Sequence, residues 1–157
     1  MKTRFAITVI ALTAAISLAI GQSQQGSPFS LTLQAVNATV QQGAPILVEL
    51  TTTNNLSQPL KLGKSNPGSE YQMDVRDAQG QPVAQTALYK DLQNPQYVFR
   101  LTTQILKPQE SAKEQVDIGK FFDLTKPGTY SVQIQRLVPR QYGSGTVKSN
   151  IVKLTIQ

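Results

Sequence analysis

Asp123-Leu124-Thr125-Lys126-Pro127-Gly128-Thr129-Tyr130-Ser131-Val132 ends one element and begins another. Pro127 has a fixed φ and no N–H, and Gly128 tolerates backbone shapes other residues avoid, so the pair reads as a turn. Beyond it Tyr130, Val132 and Ile134 alternate with Ser131, Gln133 and Gln135, the period of two expected of a strand with one buried face. The same alternation recurs on both sides. Towards the C-terminus, Val152, Leu154 and Ile156 alternate with Ile151, Lys153 and Thr155.

Towards the N-terminus come Phe29, Leu31 and Leu33; then Ile46, Val48, Leu50 and Thr52; then Tyr71, Met73 and Val75; and Tyr97, Phe99 and Leu101, each set with polar or smaller residues between. Leu60-Lys61-Leu62, Ile105-Leu106 and Val116 with Ile118 are shorter apolar segments. Turn chemistry separates the runs: Gln41-Gln42-Gly43-Ala44-Pro45, Asn54 to Pro59, Asp77-Ala78-Gln79-Gly80 and Lys107 to Ser111. The Asp77–Gly80 turn, leading to Gln81-Pro82-Val83, predicts a hairpin. Residues 87–96 fit a loop, a distorted edge strand or a helical turn. About seven short strands with no helical stripe predict an all-β fold, an antiparallel two-sheet sandwich of the immunoglobulin-like kind, with a small closed barrel as the alternative.

The first residues set the compartment. Lys2 and Arg4 precede an apolar run from Phe5 to Ile20, and Ala19 and Gly21 are small residues at cleavage-type positions, so residues 1–21 read as a signal peptide. Residues 22–28 read as a linker and 29–157 as one domain, exported to the periplasm or beyond, with no stable membrane insertion once the leader is removed. The chain has no cysteine, so its stability rests on packing rather than disulfides. Lys2 and Arg4 leave with the leader and lower the formal charge of +6 by two. The remaining basic residues, such as Lys61, Arg100 and Arg136, are scattered and Trp is absent, which argues against a nucleic-acid partner.

Histidine is absent as well. That excludes a Ser-His-Asp triad and a Cys-His pair, and leaves no nitrogen or sulfur ligand for zinc. Two carboxylate pairs, Asp74 with Asp77 and Glu110 with Glu114, have the residue types for glycosidic acid–base work. A strand's polar side, a turn opening and solvated charge after the Pro108 turn account for them better. No metal, cofactor or catalytic residue is expected.

The Pro-Gly-Thr-Tyr step at 127–130 resembles the tyrosine corner of immunoglobulin-like and fibronectin-like sandwiches. That resemblance implies that the Tyr130 hydroxyl bonds to upstream backbone while its ring packs inward. Val132 stands where antibody domains carry a cysteine. With Leu50 to Asn55, Tyr71 to Gly80, Leu106 to Ser111 and Val147 to Asn150, the chain resembles immunoglobulin-like domains of exported bacterial proteins of uncharacterised function. A looser similarity, through Asn54 to Leu60 and the Val75-Arg76-Asp77 hairpin, is to proteinase-inhibitor domains of the BsuPI type. Those domains are intracellular, and the leader departs from that pattern.

One loop draws attention as a recognition site. Pro139 to Thr146 joins the last two predicted strands, and it places Arg140 and Tyr142, residue types common at binding hot spots, beside Gly143 and Gly145. The plainer reading turns Tyr142 back onto the sandwich and leaves the glycines to make the turn. The expected function is a non-enzymatic binding or structural module of the cell envelope, with a protein or envelope polymer as partner. The alternatives are a proteinase inhibitor acting through this loop and a carbohydrate-binding module. The latter would need Tyr71, Tyr89, Tyr97 and Tyr142 as one exposed platform.

Overall fold

Alternation along the chain becomes alternation across a shared core. The computed structural model describes residues 26–94, 96 and 100–157; the leader at 1–21 and the strand expected at Tyr97 and Phe99 lie outside the described residues. In chain order the strands are β1 (Phe29–Ala35), β2 (Thr39–Val40), β3 (Leu47–Asn54), β4 (Leu60–Lys64), β5 (Gln72–Arg76), β6 (Thr102–Leu106), β7 (Ser111–Asp117), β8 (Gly128–Leu137), β9 (Thr146–Lys148) and β10 (Val152–Ile156). The count among the described residues is therefore ten rather than about seven. The excess comes from short pieces such as β2 and β9, whose length gives no readable alternation.

One sheet runs β1-β3-β7 and another β2-β10-β8-β5, with β9 also on β8; β4 and β6 form a third, two-stranded sheet. Among the described residues all strand pairings are antiparallel except β2 with β10. Phe29, Leu31 and Leu33 of β1, Val48 and Leu50 of β3, Val132 and Ile134 of β8 and Leu154 and Ile156 of β10 are all buried in one cluster. Each such side chain contributes about 1.5–3 kcal/mol by leaving water, which in a cysteine-free chain is the main source of stability.

The two small sheets on the β3 side form one ribbon with a break. From Leu47↔Asp117 to Thr53↔Ser111 the pairing keeps one register, and from Leu60↔Leu106 to Lys64↔Thr102 it resumes with two extra residues on the β3–β4 side. Asn54 fills the break. Its side chain donates to the carbonyls of Gln58 (2.9 Å), Leu106 (3.0 Å) and Lys107 (2.9 Å) and accepts the Leu56 N–H at 2.9 Å, at 0% exposure.

Two short helices, which strand periodicity did not reveal, close one end. Pro67–Glu70 forms α1, capped by the Asn66 side chain, and Ala87–Leu92 forms α2, capped by Thr86. This resolves the open segment at 87–96 as a helix over 87–92. Gly68 lies where the helices meet: a Cβ there would come within 2.7 Å of Leu92 Cδ1 and 2.9 Å of Phe121 Cε1, so a larger residue would have to displace those side chains. The expected hairpin is present, with Gly80 at φ 76° and the Val83 N–H on the Val75 carbonyl at 2.9 Å. At the Pro127–Gly128 turn, the Tyr130 hydroxyl donates to the Lys126 carbonyl at 2.8 Å, and Val132 is fully buried below it.

Candidate functional site

The loop singled out in the sequence is shorter in reach than its composition suggests. Arg140–Tyr142 is a single 3-10 turn. Tyr142 lies half-buried against the core, and its hydroxyl accepts the Lys61 N–H at 2.8 Å and faces the Pro59 carbonyl at 3.5 Å. Arg140 is exposed, so the loop separates its two highlighted residues: one is held to β4 and the other projects into solvent. Beside them a hollow of about 360 Å³ is lined by Pro28, Leu56, Gln58, Gln141 and Tyr142.

A second feature was not read from the sequence. Lys64, Glu70, Tyr71, Glu114 and Arg136 converge from β4, α1, β7 and β8. Lys64 Nζ lies 3.0 Å from Glu70 Oε2 and 2.7 Å from Glu114 Oε2, and Arg136 Nη1 lies 3.5 Å from Glu70 Oε2. The Tyr71 hydroxyl donates to Glu114 Oε1 and accepts from Arg136 Nη1 at 3.2 Å, while Arg136 Nη2 donates to the Gly63 carbonyl. Both cations also stand over the Tyr71 ring, Arg136 at 5.2 Å and Lys64 at 5.7 Å from its centre.

Two cations face two carboxylates, and among the described residues no buried side-chain polar atom lacks a partner. Burial, then the Glu114 charge, push the Tyr71 hydroxyl far above the ordinary tyrosine range. A base or nucleophile needs an unused lone pair near a place for substrate; here each group is spent on tying three sheets together. Glu114 is thus no solvated charge after the Pro108 turn, as its position in the sequence suggested. The signal lay in parity: Arg136 continues the inward series Tyr130, Val132, Ile134, and Glu114 continues inward from Val116.

The other acids singled out in the sequence are also committed. Asp74 pairs with Arg76 at 2.9 Å, the Asp77 carboxylate accepts the N–H groups of Gln79 and Gln81, and Glu110 accepts the Lys107 N–H. An open hollow of about 500 Å³ lies at one end between Pro45, Ile46, Lys120, Phe122 and Leu124. Asp117 on its wall already accepts from Ile46 and Gly119 N–H groups, and Asp123 from the Thr125 hydroxyl. No cluster of three acidic, histidine or cysteine ligands occurs among the described residues. Tyr71 and Tyr89 are 1% and 2% exposed, so they form no platform for a sugar.

Side chains also close two of the sheet edges, at β5 and β1. At β5, the Met73 N–H donates to the Tyr89 hydroxyl at 2.9 Å and that hydroxyl donates to the Tyr71 carbonyl at 3.3 Å. Tyr89 is held there by Phe121 and Phe122, with ring centres 5.5 and 5.2 Å away. At β1, Asn150 takes both the N–H and the carbonyl of Leu33, at 2.8 and 2.9 Å.

Among the described residues no helix is long and apolar enough to cross a membrane. No curated protein matches the chain. Among solved structures it is similar to the alkylpurine DNA glycosylase AlkC of Pseudomonas fluorescens, at 12% identity and TM-score 0.44, over 84% of this chain and 31% of that one. It is similar also to a β-glucosidase of Listeria innocua, at 14% identity and TM-score 0.46, over 83% and 16%, and to the SafA pilin in complex with the SafB chaperone of Salmonella enterica, at 14% and 0.38, over 82% and 54%. The chain spans about a third or less of the first two, and likenesses this weak imply no common activity. Residues 34–157 match the model of a bacterial family described as flagellar collar protein C, N-terminal domain, and the chain belongs to that family.

Proposed function

We propose that this member of the flagellar collar protein C N-terminal domain family is a non-enzymatic structural module of the bacterial envelope, holding a protein partner within a larger assembly. The observation that carries this reading is the family match, which spans residues 34–157 and so takes in nearly every strand. The disposition of polar groups supports it: the charged cluster around Tyr71 and the side chains along β1, β4 and β5 are used to fix the shape of the scaffold. The Tyr130–Lys126 bond supports reading that scaffold as immunoglobulin-like. The leader-like start at 1–21 supports a periplasmic or outer location.

On this reading the partner is a protein or envelope polymer, and Arg140, exposed beside the hollow at Tyr142, is the first residue to examine as a contact. An inhibitor needs a loop that reaches into a protease cleft; the 3-10 turn at 140–142 is tied down by Tyr142, which favours the structural reading. The test is capture of the tagged chain from its host's envelope fraction, with Arg140→Ala and Tyr142→Phe in parallel. A defined envelope partner is expected, lost in Arg140→Ala if the loop is the contact. A chain that captures no envelope component, or that inhibits or turns over a substrate, would overturn the reading.

A further inference from the structure

Backbone hydrogen bonding distinguishes β6 from the other edges of the fold. Lys61 gives its N–H to Tyr142, and Gly63 offers its carbonyl to Arg136, so both point away from β6. In an antiparallel ladder, residues whose backbone groups point outward face partners that do the same. Lys61 pairs with Ile105 and Gly63 with Thr103, so Thr103 and Ile105, and Leu101 by continuation, direct their N–H and C=O groups to the far side of β6. No partner receives them among the described residues.

Native edges are blunted by charge, proline, bulges, shortness or a covering group. The edges of β1, β4 and β5 are covered by Asn150, by Tyr142 with Arg136, and by Tyr89. Strand β2 is two residues long, and β7 carries Lys113, Glu114 and Asp117. Leu101 to Leu106 has no charge, proline or glycine, and it exposes Leu101 at 73% and Ile105 at 56%.

We propose that β6 is a homodimerisation edge, pairing antiparallel with β6 of a second copy about a two-fold axis at Thr103. The sequence is self-complementary in that register. Thr103 faces Thr103 of the second copy, and Leu101 faces Ile105 on both sides, so each exposed aliphatic side chain meets another. Parity agrees. Residues 101, 103 and 105 are the ones whose backbone groups point outward, so the pair at the axis and the pairs flanking it are hydrogen-bonded, and β4-β6 becomes half of a four-stranded sheet. The inference stands apart from the family-based reading of function.

The chain has no cysteine, so Thr103→Cys gives a single thiol. Across a hydrogen-bonded pair the Cα atoms lie about 5.5 Å apart, within disulfide reach. Mild oxidation is expected to convert Thr103→Cys to a covalent dimer while Gly63→Cys, one strand away on the same face, stays monomeric. Sedimentation velocity is expected to show a concentration-dependent dimer for the unmodified chain, weakened at least about tenfold in Thr103→Pro and in Ile105→Lys. Thr103→Pro removes an N–H that points away from β4, and its circular dichroism and melting curve report whether the fold is kept. A monomeric chain, a dimer indifferent to either folded variant, or a Thr103→Cys variant whose thiol couples only to a different protein would overturn the proposal.

Discussion

The hydroxyl of Tyr142 accepts the backbone N–H of Lys61 at 2.8 Å, so a loop tyrosine 81 residues downstream occupies the edge of β4. A residue type suited to recognition is here used to cover an edge. Tyr142→Phe leaves the Lys61 N–H to water at a partly open site and is expected to destabilise by about 1 kcal/mol. Arg140→Ala touches nothing structural and is expected within about 0.5 kcal/mol of the parent. Urea unfolding of both variants measures the difference.

Asn54 is the pin of the β3–β4 break, and its side chain satisfies three carbonyls and one N–H at full burial. Asn54→Ala leaves those groups unpaired and is expected to cost about 2–4 kcal/mol. Asn54→Asp is expected to cost more, because a carboxylate would face carbonyl oxygens rather than donate to them. Thermal melts that rank Asp below Ala below Asn check this order.

Arg136 and Glu70 are both nearly buried, and Lys64 also holds Glu70. Arg136→Met leaves Glu70, Glu114 and Tyr71 with one cation among them, and a loss of about 3 kcal/mol is expected. Arg136→Met with Glu70→Gln is expected to lose less than the sum of the two single changes, a coupling that a double-mutant cycle reads directly.

Tyr71, Tyr89 and Tyr130 all have hydroxyls raised above the ordinary tyrosine value, in each case first by burial; Glu114 adds to the effect at Tyr71, and Asp123 and Asp77 at Tyr130. A raised value in the folded state favours the neutral phenol. The stability this confers is fully present below the unfolded value near pH 10, and it falls as the pH climbs from there towards the folded values. Urea midpoints between pH 8 and pH 11.5 are expected to be level and then drop, with a smaller drop in Tyr71→Phe.

The strands that build the core were legible because their inward residues are uniformly apolar: Phe29, Leu31 and Leu33, or Tyr71, Met73 and Val75, can face only one way. The corner at Tyr130 was legible for a similar reason, since Pro127 and Gly128 fix the turn that lets the hydroxyl reach Lys126. The helix at 87–92 was open because its single buried pair, Tyr89 and Leu92, is too short a stripe to separate from a strand. Glu114 and Arg136 were missed because a charged residue at an inward position has meaning only when its partners are known, and Glu70, Lys64 and Tyr71 come from remote parts of the chain. Leu101 and Ile105 carried the opposite ambiguity: the alternation at Leu101 and the short apolar segment Ile105-Leu106 suggested buried strand, whereas both side chains are exposed, on a strand edge that has no partner among the described residues.

The most direct test of the envelope-module account is gradient sedimentation of gently solubilised host envelopes, followed by detection of the chain in each fraction. The account predicts that the chain travels with a large envelope assembly and leaves it as a discrete folded species under mild dissociation. A chain recovered in the cytoplasmic fraction, or sedimenting there free of any assembly, would contradict it.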